Sequence, residues 1–328
     1  MNMMITGAGG YIGSHAVRKA INEGHRVIAV DDFSHGFPEA IDPRAIVARA
    51  NIENTELMSD TLQTHSIEAI VHFSAYSEVR ESITNPAKYY LNNVARTIKF
   101  LEAVKESEVK YFIFSSSAAV YGEPLYTPID EDHPKAPLSP YGRTKLMVEQ
   151  ILSDYSQVAK FKYTSLRYFN VAGASPEGDL GEAHEPETHL IPIVLKVALG
   201  ELPFVQIFGS DYNTPDGTCI RDYIHVEDLV QAHFLAISFL QLNHSEVFNL
   251  GSERGFSVRE VIETCRRVTG KSIETREEPR RVGDPAILVA SSIKSRTELN
   301  WTPKFPELDS MVLDAWNWHR KHPKGYRS

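Results

Sequence analysis

Met3-Met4-Ile5-Thr6-Gly7-Ala8-Gly9-Gly10-Tyr11-Ile12-Gly13 decides the fold of this chain. An apolar strand-length run enters a turn in the G-x-x-G-x-x-G spacing, with Gly7, Gly10 and Gly13 as its fixed points. A helix to about Glu23 and a second apolar run, Arg26 to Val30, follow. Glycines there permit a tight turn and close backbone approach to a pyrophosphate, which would sit on the helix N-terminus near Tyr11 and Ile12. Asp31 stands at the end of the second strand, where a carboxylate accepts both ribose hydroxyls and repels a 2′-phosphate, favouring NAD over NADP.

Outward from this unit the pattern repeats. Strands are expected at Ile67 to Phe73, Val109 to Phe114 and Thr164 to Tyr168, with helices from about Pro86 to Glu106 and from Tyr141 to about Val158. Alternating strands and helices predict an α/β fold, a Rossmann-type doubly wound parallel sheet with right-handed crossovers. From Ser175 to Glu187 the chain turns rich in glycine, proline and acid, marking a boundary. Residues 1–172 are therefore expected to form the dinucleotide domain and 173–328 a smaller α/β lobe, with 221–252 returning to the first. In the second part, helices are expected at Ile191 to Leu199, Val226 to Phe239, Ser257 to Val268 and Leu308 to His322.

Two stretches carry chemistry. Tyr141-Gly142-Arg143-Thr144-Lys145 puts a phenol and an ammonium one helical turn apart, and a nearby cation favours a phenolate. Upstream, Lys110 to Ser117 is an apolar run ending in three hydroxyls at the strand edge where α/β sheets bind ligands. Ser117 is then placed to help move a substrate proton beside Tyr141. Ser74-Ala75 and Asn92 are expected at the same edge.

With 328 residues, 42% of them hydrophobic and 23% charged, a sizeable core is available. A formal charge of -9 argues against a nucleic-acid partner. Cys219 and Cys265 stand far apart, indicating neither a disulfide framework nor a zinc site and fitting a reducing cytoplasm. No metal site, leader, membrane span or internal repeat is expected.

With these residues in place, the chain resembles the UDP-glucose 4-epimerases of the extended short-chain dehydrogenase/reductase superfamily, nearly end to end. The likeness rests on Gly7 to Gly13, Asp31, Asn92-Asn93-Val94, Ser115 to Gly122, Ser139-Pro140-Tyr141-Gly142 with Lys145, Leu166 to Asn170, Ile220 to Val226, and Arg280-Arg281 with Gly283-Asp284. It implies NAD, a UDP-hexose held between the lobes, galactose metabolism, and an isomerase that oxidises C4 transiently and returns the hydride to the other face. Tyr141, Lys145 and Ser117 would be catalytic, and a homodimer is implied.

Carried over by position, the cofactor contacts would further include Asp32, Phe33, Ser34, His35, Gly36, Asn51, Ile52, Phe73, Ser74, Ala75, Tyr76, Ser77, Asn92, Ser115 and Phe169. Substrate contacts would be Ser117, Tyr141, Asn170, His189, Leu190, Gln206, Ile207, Phe208, Arg221, Arg281, Val282, Gly283, Asp284 and Leu288. Arg221 and Arg281 suit a diphosphate, because guanidinium forks pair with phosphate oxygens. Ser77 departs from a lysine seen in some relatives, His189 from an asparagine and Asn51 from an acid. Leu288 stands at the hexose gate and leaves UDP-N-acetylhexosamines open as substrates. Alternatives are a hexuronate epimerase, a 4,6-dehydratase, disfavoured because no carboxylate follows Ser117, and a non-enzymatic dinucleotide sensor, which would be expected to lose Tyr141 or Lys145.

Overall fold

The computed structural model describes residues 1–281 and 283–327. Val282, one of the expected substrate contacts, lies outside them. The chain opens on β1 (Asn2–Thr6), α1 (Tyr11–Asn22), β2 (Arg26–Asp31), β3 (Ile46–Arg49), α2 (Thr55–Thr64) and β4 (Ala69–His72). Next come α3 (Val79–Thr84), α4 (Pro86–Tyr89), a π turn over Tyr90–Ala95, α5 (Arg96–Lys105), β5 (Tyr111–Ser115), α6 (Pro140–Ala159) and β6 (Lys162–Tyr168). Beyond Tyr168 follow β7 (Asn170–Ala172), α7 (Leu190–Ala198), β8 (Val205–Phe208), β9 (Ile220–His225), α8 (Val226–Leu242), β10 (Glu246–Leu250) and β11 (Gly255–Ser257). The last elements are α9 (Val258–Thr269), β12 (Thr275–Glu278), β13 (Ile287–Leu288), α10 (Ile293–Glu298) and α11 (Leu308–Lys321).

Seven parallel strands form the main sheet in the order β10-β6-β5-β4-β1-β2-β3. Alternate residues of β1 serve opposite faces, as the pleat requires. Met3 and Ile5 join a core with Val17 of α1, Leu229 and Ile237 of α8, Phe248 and Trp301. Met4 joins the other face, with Met58, Phe100, Phe112, Val148 and Leu152 from α2, α5, β5 and α6. The sheet is covered on both sides, the doubly wound α/β arrangement expected from the repeating pattern. Its central strands β1, β4 and β5 are buried almost throughout, so they read as apolar runs, whereas the edge strand β3 is largely exposed.

The remaining strands make smaller sheets. β9 pairs antiparallel with β11 and parallel with both β13 and β7, and β8 pairs with β12. Their core gathers Ile191, Leu195, Ile207, Tyr223, Ile262, Met311 and Trp316. Two expectations change. The segment 221–252 divides: α8 and β10 reach the main sheet, whereas β9 belongs to the small one. The long helix from Pro86 to Glu106 is interrupted by the π turn, an i→i+5 widening that swings Asn92 and Asn93 out of α-helical register. Among the described residues no helix is long and apolar enough to cross a membrane.

Candidate active site

Gly7 adopts φ +70°, and a Cβ there would stand 2.8 Å from the Ser74 amide nitrogen. A Cβ on Gly13 would meet the Gly7 carbonyl oxygen at 2.0 Å. These two positions therefore need glycine if the turn is to close against β4 and α1. Gly10 caps α1 without any side-chain hydrogen bond, and the first bond of the helix runs from Ser14 N to Gly10 O. The N–H groups of the first turn are left to a ligand or water, at the positive end of the helix dipole.

At the tip of β2, Asp31 accepts from Gly9 N at 2.8 Å and from Phe33 N at 2.7 Å. Burial pushes its carboxyl up against the pull of those two amides. Asp32 accepts from Ser34 N at 2.9 Å and from Asn51 Nδ2 at 2.7 Å. Burial alone would raise Asp32, but bonds from Ser34 and Asn51 bring it below its usual value. Asn51 thus does the work of orienting Asp32 in a place where an acid would repel it. Ile52 is buried beneath them, and Ser34, His35 and Gly36 continue along the rim.

Phe73 to Ser77 leave β4 along the same edge. Asn93, rather than Asn92, fixes them: its Oδ1 accepts from Tyr76 N at 2.9 Å, while its Nδ2 donates to Tyr76 O and to Thr144 Oγ1. Asn92 turns sideways, donating to Asn93 and accepting from Arg96. Adjacent asparagines gave no means of telling which faced inward, because the π turn decides it. Lys88 Nζ lies 4.4 Å from the Tyr76 ring centroid and Ser77 is exposed beside it.

β5 delivers Ser115 and Ser117 to the edge, and α6 delivers Tyr141 and Lys145. Ser139 caps α6 by accepting from Gly142 N at 3.1 Å, with Pro140 in the first turn, so Tyr141 starts the helix facing the strand end. Lys145 Nζ donates to Ser115 O at 2.7 Å and lies 5.8 Å from the Tyr141 ring centroid. Ser115 Oγ meets Tyr168 OH at 2.5 Å. The phenol and ammonium share one space, as their spacing predicts, but their electrostatics differ from expectation. Burial pushes Tyr141 up, with Ser117 pulling it back, and burial brings Lys145 down to about 7 against the pull of Glu149. In this state the pair does not by itself make a phenolate.

A buried polar floor lies behind them. Glu149 accepts from Ser116 Oγ at 2.5 Å and from Arg167 through Nε at 2.9 Å and Nη2 at 2.6 Å. Arg167 continues to Tyr121 OH, and that hydroxyl to Asn249 Oδ1 at 2.6 Å.

Facing this edge is a rim from the second part of the chain. Arg281 stacks 3.8 Å from the Phe208 ring centroid and Arg80 of α3 lies 5.2 Å from the same ring. Arg80 was not foreseen, since nothing in its local sequence ties it to Phe208. Arg221 pairs with Asp284, and Gly283 turns beside them at φ +75°. Gln206 is exposed on β8, but Ile207 points into the core, which leaves only its backbone for a ligand. Arg280 turns outward to Asp211 and Tyr212. Phe169 and Leu288 pack with Val120, Tyr121, Ile129 and Ala290 beneath the edge, while Asn170 is exposed at the start of β7. His189 and Leu190 open α7.

Residues 3–251 match the family model described as the NAD dependent epimerase/dehydratase family. The chain is 49% identical over 327 residues, 99% of each chain, to a UDP-glucose 4-epimerase of Lactobacillus helveticus. Its structure superposes with a TM-score of 0.98 on a crystal structure of a UDP-glucose 4-epimerase, at 47% identity and full coverage of both chains. A UDP-glucose 4-epimerase from Bifidobacterium longum, solved in complex with NAD+ and UDP, gives a TM-score of 0.93 at 37% identity, covering 99% of this chain and 100% of that one.

Proposed function

The chain belongs to the NAD dependent epimerase/dehydratase family, and from that premise we propose that it is a UDP-glucose 4-epimerase, an isomerase interconverting UDP-galactose and UDP-glucose. The observation that carries the reading is the meeting of Ser117, Tyr141 and Lys145 at the sheet edge onto which the uncapped N-terminus of α1 also opens. That meeting lies opposite a rim bearing three arginines.

NAD fits the residues present: the glycine turn is the cradle a Cβ would fill, and Asp31 is anchored with its carboxylate at the strand tip. Gly7, Gly10, Tyr11, Ile12 and Gly13 would hold its pyrophosphate, Asp31 to Gly36 with Asn51 and Ile52 its adenosine, and Phe73 to Ser77, Ser115, Lys145 and Phe169 its other half. When bound, NAD supplies a reversible two-electron oxidation at C4 and, in its oxidised form, a positive ring charge. Tyr141 takes the proton of the hexose 4-hydroxyl and returns it to the same oxygen. Ser117 hydrogen-bonds that oxygen, and Lys145 is held by Ser115 O under the phenol. Because burial disfavours the phenolate, proton removal is confined to a site holding added positive charge.

Arg80, Arg221 and Arg281 grip the diphosphate, with Asn170, His189, Leu190, Gln206, Phe208, the Ile207 backbone, Gly283 and Asp284 around the nucleotide. Firm hold on the nucleotide leaves the hexose free to present either face. Leu288, an aliphatic at the hexose gate, leaves UDP-N-acetylhexosamines open as a second substrate class. Elimination lacks its carboxylate: Ala118 and Ala119 follow Ser117, and Glu149 is consumed by Arg167.

The test is purified protein with UDP-galactose and no added NAD, followed for UDP-glucose, with Tyr141→Phe alongside. The parent turns over and the variant loses about 10²- to 10⁴-fold in kcat. A parent that stays silent even after NAD is supplied sinks the proposal.

We further propose a homodimer. Leu91 and Ile98 on one helical stretch and Met147 on α6 leave large apolar side chains exposed beside the half-buried Ile151, as expected of a face that a second copy covers. Equilibrium sedimentation at micromolar concentration should give twice the 36.9 kDa chain mass, and a monomer would contradict it. Free buried cysteines, Cys219 and Cys265, fit a cytoplasmic setting, which recovery in a periplasmic cell fraction would overturn.

A further inference from the structure

Between the two parts of the chain lies a cluster of which the proposed reaction uses only His189, at the nucleotide: Glu182, His184, Glu187 and His189, in the pattern E-x-H-x-x-E-x-H. One ligand atom from each lies within 4.8 Å of every other. His189 Nδ1 stands 2.7 Å from Glu182 Oε1 and 3.1 Å from Glu187 Oε1, and His184 Nδ1 stands 2.9 Å from Glu182 Oε1. The two carboxylate side chains are only 5% and 3% exposed. Among the described residues neither has a lysine or arginine at ion-pair distance. Two buried negative charges therefore need either a proton on each imidazole or one divalent cation between neutral rings.

We propose that these four side chains form a structural site for a first-row divalent cation of the zinc type. Two imidazole nitrogens and two carboxylate oxygens are a closed tetrahedral donor set, suited to zinc or cobalt rather than to calcium or magnesium. With metal–ligand bonds of about 2.0–2.2 Å, tetrahedral ligands stand about 3.3–3.6 Å apart, so the three present contacts, at 2.7, 2.9 and 3.1 Å, open by less than an ångström while the wider pairs, within 4.8 Å, draw in. The supporting shell is already built. Trp318 Nε1 donates to Glu182 O at 3.1 Å, Tyr326 OH brackets both backbone groups of Gly181, and Glu187 Oε1 accepts the amides of Thr188 and His189. Such outer contacts hold ligands in place before the ion arrives. Buried His319, whose Nε2 has no hydrogen-bond partner, feels the charge of both carboxylates.

The site's place gives its consequence. His184 meets Tyr11 of α1 edge-on, with ring centroids 6.5 Å apart, and His189 is the residue from which α7 starts. A bound cation pins the segment before α7 onto α1 and fixes Leu190 at the nucleotide rim. It also occupies Nδ1 of His189, leaving Nε2 as that ring's free nitrogen.

Chelator-treated protein titrated with Co²⁺ tests this independently of turnover. The expected result is one Co²⁺ per chain with visible ligand-field bands, displaced by Zn²⁺, and a raised thermal midpoint with either metal. A variant carrying His184→Ala and His189→Ala loses the bands while its far-ultraviolet circular dichroism is kept. His189→Asn serves as the second probe should the double variant not fold. No saturable binding below about 1 mM, or bands that survive in a folded variant, overturns the proposal and leaves a protonated His–Glu network in its place.

Discussion

The floor behind Ser117 and the rim carrying Arg281 use the same chemistry, guanidinium with acid, in opposite ways. Arg167 and Glu149 are buried, doubly bonded to each other, and extended to Ser116, Tyr121 and Asn249. Arg281 and Arg80 lean on the face of Phe208, and Arg221 has one acidic neighbour, Asp284. A buried pair tolerates no loss, since removing one partner strands a charge in low dielectric. An accessible guanidinium keeps its solvation until a ligand takes it over. The floor is built for position and the rim for exchange.

This contrast can be broken at several strengths. Arg167→Met should cost about 3–5 kcal/mol of stability, read from urea unfolding, because Glu149 is left buried and unpaired. A loss below about 1 kcal/mol would mean that the floor is as forgiving as the rim. Lys145, standing on that floor, sharpens it through pH. Its folded pKa of about 7 lies below the unfolded value near 10.5, so between these the unfolded chain holds more protons and stability rises with pH. In cofactor-free protein the parent should gain about 2 kcal/mol over Lys145→Met from pH 7 to pH 9, and parallel profiles would refute the buried, depressed amine. At the rim, Arg281→Ala should raise KM for UDP-galactose about tenfold, or about 1.4 kcal/mol, with the unfolding midpoint unmoved. Arg280→Ala, turned away toward Asp211, should change KM less than twofold; an equal effect would erase the distinction between the two neighbours.

Legibility followed the same division. The glycine turn, Asp31, and the pairing of Tyr141 with Lys145 could be read because each is a local constraint: a φ, a strand end, a helical spacing. The parallel sheet followed from runs such as Met3 to Thr6, buried on both faces. β3 was missed because Ile46 to Arg49 is a short edge strand with little burial and no alternation to detect. The sheet around β9 was missed because β9 finds its partners in residues 170–172, 255–257 and 287–288, and two- or three-residue strands leave no period. That Asn93 rather than Asn92 ties down Tyr76 was hidden by the π turn, and Arg80 reaches Phe208 from more than a hundred residues away. The sign of the Tyr141 shift escaped because helical spacing reports proximity, whereas burial depends on everything packed around it.

β10 has one more consequence, and it concerns the order of synthesis. Glu246–Leu250 forms the outer border of the main sheet beside β6, with all five of its residues paired to Thr164 through Tyr168. Until residue 250 leaves the ribosome, the flank of β6 has no neighbour and presents a row of free backbone groups to any passing strand. The first 172 residues alone therefore do not make a finished domain. A nascent chain stalled before that point is the form of this protein most prone to pair with the wrong strand.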